Sequence, residues 1–275
     1  GDVYKRQVLD GTEICKWMKF EEGKAVVDDE QALAYVKSLG SKYNTVYKPK
    51  TLKTSWGSTV TISNGSYGWK IGNDKELEQL KKDIDAGKDV TRDPVYAQTA
   101  NSHGENDYGD TYVEINLTAQ HLYFYKNGNL VVDSDFVSGN ISKGNGTPVG
   151  AYPVTYTERN ATLKGENYSS DVSFWMPYCG NVGMHDASWR STFGGNIYKR
   201  NGSHGCVNLP YAAAKTIFEN IAAGYPVLVY ELPGTESPKA IAMDQGASVV
   251  DAINGIGDCL LYTSPSPRDT ERSRM

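Results

Sequence analysis

The feature that most constrains the fold is the dipeptide Asn127-Gly128, which lies between the runs HLYFYK and NLVVDSDFV. Both residues readily adopt a positive φ, which a two-residue hairpin turn requires, and both flanking runs are rich in aromatic or β-branched residues. Just before them, TYVEINL places Val113, Ile115 and Leu117 on one side of an extended chain. This half of the chain is therefore predicted to be built from short β-strands.

Further runs of the same kind follow along the chain. TPVGAYPVTY, VSFWMPY and PVLVY predict short strands that are broken by Gly and Pro. Between them, Pro210 begins a predicted helix that ends near Gly224, with one apolar face formed by Ala214, Ile217, Phe218 and Ile221. We expect sandwich- or barrel-like sheets with a helix directly after Cys206.

The first hundred residues indicate a mixed α+β unit. Asp28 precedes EQALAYVKSLG, a predicted helix that Gly40 is expected to end. The stretch TLKTSWGSTVTISNGSYGWKI contains three short Thr-, Val-, Tyr- and Trp-rich runs, which predict one small antiparallel sheet. Asn73, followed three residues later by Glu76, resembles a capping box for a second helix that ends at Gly87.

These patterns predict an α+β, β-rich protein of two domains. A mixed α+β domain is expected over 8–105, and the polar stretch 97–110 is interpreted as the linker to a β-rich domain over 110–232. A C-terminal extension over 233–257 is expected to contain a final helix. Residues 258–275 are expected to be a non-native or disordered tail, because they lack apolar periodicity.

Composition excludes several functional classes. The net charge of −5 argues against a nucleic-acid-binding protein, which needs a concentrated positive surface. No apolar run approaches the roughly 18 residues of a membrane-spanning helix. Four widely spaced cysteines are too few for a disulfide scaffold, so a reactive thiol remains open.

A candidate thiol is Cys206, in the stretch NGSHGCVNLP. The thiolate is the attacking species and needs a base, because a free cysteine with a pKa of about 8.5 is mostly protonated at pH 7. His204 is two residues away, and on a strand both side chains lie on one face. His185, followed by Asp186, precedes His204 by nineteen positions and approaches from a separate element.

Nucleophilic catalysis is the favoured interpretation of Cys206, and three others remain open. In the first, the thiol would be a buried structural cysteine, and in the second it would form a disulfide with Cys179. The third is a zinc site made of Cys179, His185, His204 and Cys206, although no C-x-x-C pair or H-x-x-x-H spacing supports it.

His185, seventeen intervening residues and SHGCVN at 203–208 together resemble the signature of the L,D-transpeptidases, cysteine enzymes that cross-link bacterial peptidoglycan. TPVGAY at 147–152 is similar to an upstream strand motif of that family. The resemblance covers about residues 110–231. The first unit resembles the peptidoglycan-binding-type domain that precedes the catalytic domain in some Gram-positive members.

The resemblance implies a role for each matching residue. Cys206 would be the nucleophile and His185 the general base and acid, oriented by the carboxylate or the backbone carbonyl of Asp186. His204 and Gly205 would shape the oxyanion region, where we expect backbone amides to point at the developing charge. Three residues would contact the substrate or fix the loop: Trp189, with core packing as its alternative role, Ser203 and Asn208.

The resemblance also implies the reaction and its setting. The donor would be a stem tetrapeptide that loses D-alanine and is transferred to an amine to form a 3-3 cross-link, with no cofactor and no metal. Peptidoglycan stem peptides would be the partners and carbapenem-type β-lactams the inhibitors. The enzyme would act at the extracellular face of the membrane or in the cell wall of a Gram-positive bacterium, with a signal or membrane anchor beyond this sequence. An L,D-carboxypeptidase and a non-catalytic wall-binding protein are the alternatives.

Overall fold

The computed structural model describes residues 8–165 and 168–237. Most of the expected final helix, from residue 238 onward, and the whole tail 258–275 lie outside this part of the chain. In the part described, no helix has both the length and the apolar character needed to cross a membrane.

The first unit has three helices and three pairs of short strands. Its elements are α1 (Gly11–Lys16), β1 (Met18–Glu21), β2 (Lys24–Val27), α2 (Asp29–Tyr43), β3 (Lys50–Lys53), β4 (Thr59–Ile62), β5 (Lys70–Ile71), α3 (Asn73–Ala86) and β6 (Tyr96–Gln98). Asp28 caps α2, because its side chain accepts hydrogen bonds from the first-turn amides of Glu30 and Gln31. Helices α2 and α3 pack on each other around Ala32 and Leu80.

The prediction that Gly40 ends α2 is wrong. The helix continues to Tyr43, and Gly40 is a buried helical residue. A side chain at Gly40 would meet Asn44, whose Nδ2 lies 3.1 Å from the position of a Cβ. This glycine therefore allows close packing and does not terminate the helix.

The predicted capping box at Asn73 is also wrong. Gly72 occupies the N-cap position, and no side chain caps this helix. The Glu76 carboxylate instead accepts hydrogen bonds from Arg92 at 2.9 and 3.0 Å and from the Val95 amide at 2.6 Å. A long-range ion pair therefore replaces the local capping interaction.

The three short runs of residues 51–71 were predicted to form one sheet, but they belong to two separate sheets. Strands β3 and β4 pair as a hairpin, whereas β5 pairs with β6, which begins just before the stretch interpreted as a linker. Gly65 does not turn the chain back into the first sheet but bridges to Ala151 of the second unit. A Cβ on Gly65 would lie within 2.0 Å of the Ala151 carbonyl oxygen, so only glycine allows this approach.

The second unit is β-rich, and the predicted α+β class is confirmed. Its elements are β7 (Tyr112–Asn116), β8 (His121–Lys126), β9 (Asn129–Asp135), β10 (Gly150–Pro153), β11 (Glu158–Gly165), β12 (Tyr168–Cys179), β13 (Val182–Asp186), α4 (Tyr198–Asn201), β14 (Val207–Leu209), α5 (Tyr211–Asn220) and β15 (Pro226–Tyr230). The predicted hairpin joins β8 to β9, with φ values of 51° at Asn127 and 73° at Gly128.

Two sheets enclose one core in this unit. A five-stranded sheet has the order β10-β15-β7-β8-β9, and a four-stranded sheet has the order β11-β12-β13-β14. Neither sheet closes into a barrel within the residues described, so the sandwich-like expectation holds and the barrel-like one does not. Ile115 and Phe124 of the first sheet and Met184 of the second share the core with Ile217 of α5. Helix α5 follows the cysteine loop, as predicted, but ends at Asn220 rather than at Gly224.

The hairpin β3–β4 covers the other face of the five-stranded sheet. Leu52 and Ile62 of the hairpin pack in one cluster with Leu228 and Tyr230 of β15. Glu114 of β7 is fully buried under this cover and accepts hydrogen bonds from the Ser55 amide and hydroxyl and from the Tyr230 hydroxyl. We call this contact, formed by Ser55, Glu114, Tyr230 and the cluster around them, the junction.

Candidate active site

Two parallel strands of the four-stranded sheet bring the predicted catalytic residues together. Strand β13 pairs with β14, and His185 lies directly opposite Asn208. Cys206 immediately precedes β14, so the thiol and the imidazole open onto the same cleft. The cleft is lined by Leu163, Ser170, His185, Trp189, Arg190, Gly202, Ser203, His204, Cys206 and Asn208.

Cys206 is almost completely buried at the bottom of this cleft, with 9% of its surface exposed. Its Sγ lies 3.6 Å from the carbonyl oxygen of Asn181. Burial raises the pKa of the thiol above its ordinary value, and the Gly183 amide offsets part of that rise. The thiol is therefore protonated at neutral pH and needs a base to become a nucleophile.

His185 is buried and held in one orientation. Its Nδ1 lies 2.8 Å from the carbonyl oxygen of Asp186, which assigns the ring proton to Nδ1 and leaves a lone pair on Nε2. Burial lowers the pKa of His185 below its ordinary value, so the ring is neutral at pH 7. The rings of Trp175 and Trp189 flank it, each with its centroid 5.9 Å away.

The Asp186 carboxylate does not orient His185, which corrects one of the two alternatives left open by the sequence. Its Oδ1 accepts hydrogen bonds from the backbone amides of Ser173 at 2.8 Å and Phe174 at 2.9 Å. The carboxylate therefore fastens β13 to the neighbouring strand β12. The backbone carbonyl of Asp186 is the group that contacts the imidazole.

The loop before Cys206 is held by hydrogen bonds at both of its ends. Ser203 Oγ donates to the Cys206 carbonyl at 2.5 Å and accepts from the Gly205 amide at 3.1 Å. Thr147 Oγ1 donates to the Gly205 carbonyl at 2.7 Å, and Gly205 has a φ of +125°, which suits glycine. The Gly205 amide, expected to face a developing oxyanion, is thus engaged by Ser203 instead.

The remaining predicted residues differ in exposure. His204 is exposed at the rim of the cleft. Asn208 is buried, and its backbone, not its side chain, fastens the loop by pairing with Val137, while its Oδ1 has no hydrogen-bond partner. Trp189 is 51% exposed, so it lines the cleft rather than packing in the core.

Comparison with known proteins places this geometry in a family. Residues 110–229 match the family model of the L,D-transpeptidase catalytic domain, and residues 13–92 match that of a peptidoglycan-binding domain. The chain is 38% identical to a cysteine-to-serine mutant of Enterococcus faecium L,D-transpeptidase, over 81% of this chain and 90% of that one, with a TM-score of 0.62. The chain belongs to the L,D-transpeptidase family.

A second solved structure supports the same assignment. The carbamoyl enzyme that Ldtfm forms with avibactam is 39% identical over 81% of this chain and 88% of that chain, with a TM-score of 0.64. No curated protein sequence matches the chain. Because both similarities extend over most of the chain, the family assignment covers the first unit as well as the catalytic one.

Two of the other interpretations of Cys206, the disulfide with Cys179 and the zinc site, are not supported by the described residues. Cys179 and Cys206 are both free thiols. Across residues 8–165 and 168–237, no group of three or more His, Cys, Asp or Glu side chains is arranged to hold a metal ion. The cleft, with its buried thiol and neutral imidazole, is therefore the candidate site.

Sequence reasoning missed several residues of this site, and four of them bear on its chemistry. The Asn181 carbonyl contacts the sulfur, the Gly183 amide lowers the pKa of the thiol, Thr147 holds the Gly205 carbonyl, and Arg190 lines the cleft. Thr147 lies within the TPVGAY motif, so a signal for it was available. The other three meet the thiol or the cleft only through strand pairing and a tight turn, which spacing along the chain does not reveal.

Proposed function

We propose that this protein is a peptidoglycan L,D-transpeptidase in which Cys206 is the nucleophile and His185 the general base and acid. The observation that supports this assignment is the buried, neutral imidazole. Its Nδ1 faces the Asp186 carbonyl, and its ring lines one cleft with the thiol. A base with a free Nε2 beside a protonated thiol is what acyl transfer through a thioester requires.

The reaction proceeds in two balanced halves. His185 Nε2 takes the thiol proton while Sγ attacks the carbonyl that joins the third residue of a donor stem to its terminal D-alanine. The C–N bond then breaks, the imidazolium returns that proton to the leaving amine, and a thioester remains on Cys206. An acceptor amine attacks the thioester, His185 removes its proton, and the thiol is restored as the 3-3 cross-link forms.

The electrostatics of the cleft keep the resting enzyme neutral. Burial raises the pKa of Cys206 and lowers that of His185, so a resting thiolate–imidazolium pair is disfavoured. The thiolate then forms only as the carbonyl is attacked. General base catalysis of this kind contributes about 10²- to 10⁴-fold to the rate.

The substrate and the relatives indicate the setting. The chain carries a match to a peptidoglycan-binding domain, and a similar enzyme forms a carbamoyl adduct with avibactam. We therefore propose peptidoglycan stems as substrates and β-lactam-type acylating agents, including carbapenems, as inhibitors of Cys206. Because the donor is wall polymer, the enzyme acts outside the cytoplasmic membrane of a bacterium. A Gram-positive source and a membrane anchor stay predictions.

Incubation with a disaccharide tetrapeptide, followed by mass spectrometry of products and protein, tests this function. We expect a dimer that has lost one D-alanine, with an acyl adduct on Cys206. The Cys206→Ala variant should give neither, whereas Cys15→Ala, which changes an exposed thiol in α1, should behave like the wild type. Tripeptide without dimer would indicate an L,D-carboxypeptidase. Wall binding without any adduct would indicate a non-catalytic protein.

A further inference from the structure

The cleft contains one cationic side chain that has no partner. Arg190 ends a tight turn in which its amide donates to the Ala187 carbonyl at 3.0 Å, and its side chain lines the cleft beside His185 and Cys206. Its Nε is buried without a hydrogen-bond partner. Among residues 8–165 and 168–237, no side chain or carbonyl forms a hydrogen bond or an ion pair with this guanidinium.

Arg92, whose side chain is 25% exposed, is fully paired by contrast. Its guanidinium donates to both oxygens of Glu76, at 2.9 and 3.0 Å, and to Asp83 at 2.7 Å. Arg190 is only partly buried, and Nε is the one nitrogen of its guanidinium that is buried without a partner. This is costly, because that N–H loses its hydration and gains no hydrogen bond in return. Burial lowers the pKa of Arg190 but leaves the guanidinium charged at neutral pH.

We propose that Arg190 binds a carboxylate of the donor peptide, namely the terminal carboxylate of the D-alanine that leaves. This inference rests on the proposed function. The scissile carbonyl must lie at Cys206 Sγ, and the carboxylate of the leaving residue is only a few bonds away, so it lies in the same cleft. Arg190 is the one lysine or arginine among the described residues that line that cleft.

Guanidinium geometry suits this ligand. Its planar fork donates two parallel hydrogen bonds to a carboxylate, which fixes the orientation of the terminal residue as well as its position. Anchoring the leaving residue would hold the scissile carbonyl against the sulfur. Arg190 would therefore distinguish donor peptides that end in a free carboxylate from donor peptides whose C-terminus is extended by further residues or blocked, for example as a carboxamide.

The test compares two donors in the full-length enzyme. One is the disaccharide tetrapeptide with a free terminal D-alanine, and the other is the same molecule with a terminal carboxamide. For the free acid, Arg190→Gln should lower kcat/KM of acylation about 30- to 100-fold, mainly through KM. For the carboxamide, kcat/KM of the wild type should already be lower than for the free acid by a similar factor. Arg190→Gln should change kcat/KM for the carboxamide less than about threefold.

Matched variants separate recognition from folding and from net charge. Arg190→Lys keeps the positive charge but lacks the paired N–H donors of the guanidinium. It should therefore retain more activity on the free acid than Arg190→Gln does. Lys215→Gln removes an exposed positive charge from α5 and should leave both donors unaffected. Since Arg190 is unpaired, Arg190→Gln should unfold at the same temperature as the wild type or higher, whereas a structural arginine would lower that temperature.

Each outcome decides a separate question. Equal losses for both donors, or no loss for either, would overturn the carboxylate assignment while leaving a working transpeptidase. If neither donor acylates the wild type, the proposed function fails. The binding of the donor carboxylate by Arg190 is then tested by equilibrium binding. In that assay, Cys206→Ala should bind the free-acid tetrapeptide more tightly than Cys206→Ala/Arg190→Gln does, and equal affinities would overturn the inference.

Discussion

The junction and the catalytic cleft both bury polar side chains, but they satisfy them differently. At the junction, Glu114 is fully buried and accepts hydrogen bonds from Ser55 and from Tyr230. In the cleft, Asn208 Oδ1 and Arg190 Nε are buried and have no partner. A buried polar group whose hydrogen bonds are complete stabilises the fold, whereas one left incomplete costs stability unless a ligand completes it.

This difference predicts two classes of variant. Substitutions at the junction should lower the free energy of unfolding and leave acylation of Cys206 unchanged in the folded protein. Substitutions of the residues that line the cleft should alter acylation with little loss of stability. A variant at the junction or in the cleft lining that changes both quantities together would contradict the separation.

The largest expected effect in the cleft is that of His185→Gln. Glutamine cannot take the thiol proton, so acylation of Cys206 by a carbapenem-type β-lactam should slow by about 10²- to 10⁴-fold. Stopped-flow or intact-protein mass spectrometry measures the rate. His121→Gln, a histidine on β8 that pairs with Asp133 and Asp135, is the matched control. Unchanged acylation in His185→Gln would assign the base role to His204.

The pH dependence of the wild type sharpens this result. His185 acts as a base only when Nε2 is unprotonated, so acylation should fall as the pH drops through the pKa of His185. Burial places this pKa below its ordinary value of 6.5, so the acid limb should have its midpoint below pH 6.5. A midpoint above that value would show that the imidazole is not desolvated in the working enzyme.

At the junction, Glu114→Ala should have the next largest effect. It removes the acceptor for the buried Tyr230 hydroxyl and for the exposed Ser55, and it leaves the Tyr230 hydroxyl buried without that acceptor. We expect a loss of about 3 kcal/mol in the free energy of unfolding, measured with denaturant. Glu13→Ala breaks only an exposed pair with Lys16 and should cost less than about 1 kcal/mol. Slow acylation by folded Glu114→Ala would contradict the separation of the two regions.

The same contrast explains how much of the molecule could be predicted from its sequence. The Asn127-Gly128 hairpin and the loop around Cys206 were predictable, because a turn type and a motif depend on adjacent residues. The capping box at Glu76 and the sheet partner of β5 were mispredicted, because Arg92 and β6 compete for those groups from far along the chain. Unsatisfied groups such as Arg190 carry no sequence signal, since only the fold shows which partners are missing.

Thr147→Val tests a positioning residue that lies outside the cleft lining and holds the loop before Cys206 in place. The threonine hydroxyl donates to the Gly205 carbonyl and accepts from the Gly139 amide, so valine leaves both groups unpaired. We expect acylation of Cys206 to slow about tenfold through a change in kcat, because the loop loses its fixed geometry. Thr147→Ser keeps both hydrogen bonds and should restore the rate. An equal loss in both variants, or an unchanged rate in Thr147→Val, would contradict a specific role for the hydroxyl.

The smallest expected effect is that of Asp186→Asn. Asparagine keeps an Oδ1 that can accept from the Ser173 and Phe174 amides, and the backbone carbonyl still holds His185 Nδ1. Acylation at pH 7 should therefore change less than about threefold, in contrast to the roughly 10⁴-fold loss seen where a carboxylate orients the catalytic histidine.

The pH profile of acylation in Asp186→Asn tests further whether the carboxylate or the backbone carbonyl of Asp186 orients His185. The negative charge of Asp186 raises the pKa of His185, so its removal should lower that pKa and move the acid limb of acylation to lower pH. Asp171→Asn, on the exposed part of β12, provides the control and should leave the limb in place. A large loss of rate in Asp186→Asn, with no shift of the limb, would return the orienting role to the carboxylate and contradict the observed hydrogen bonding.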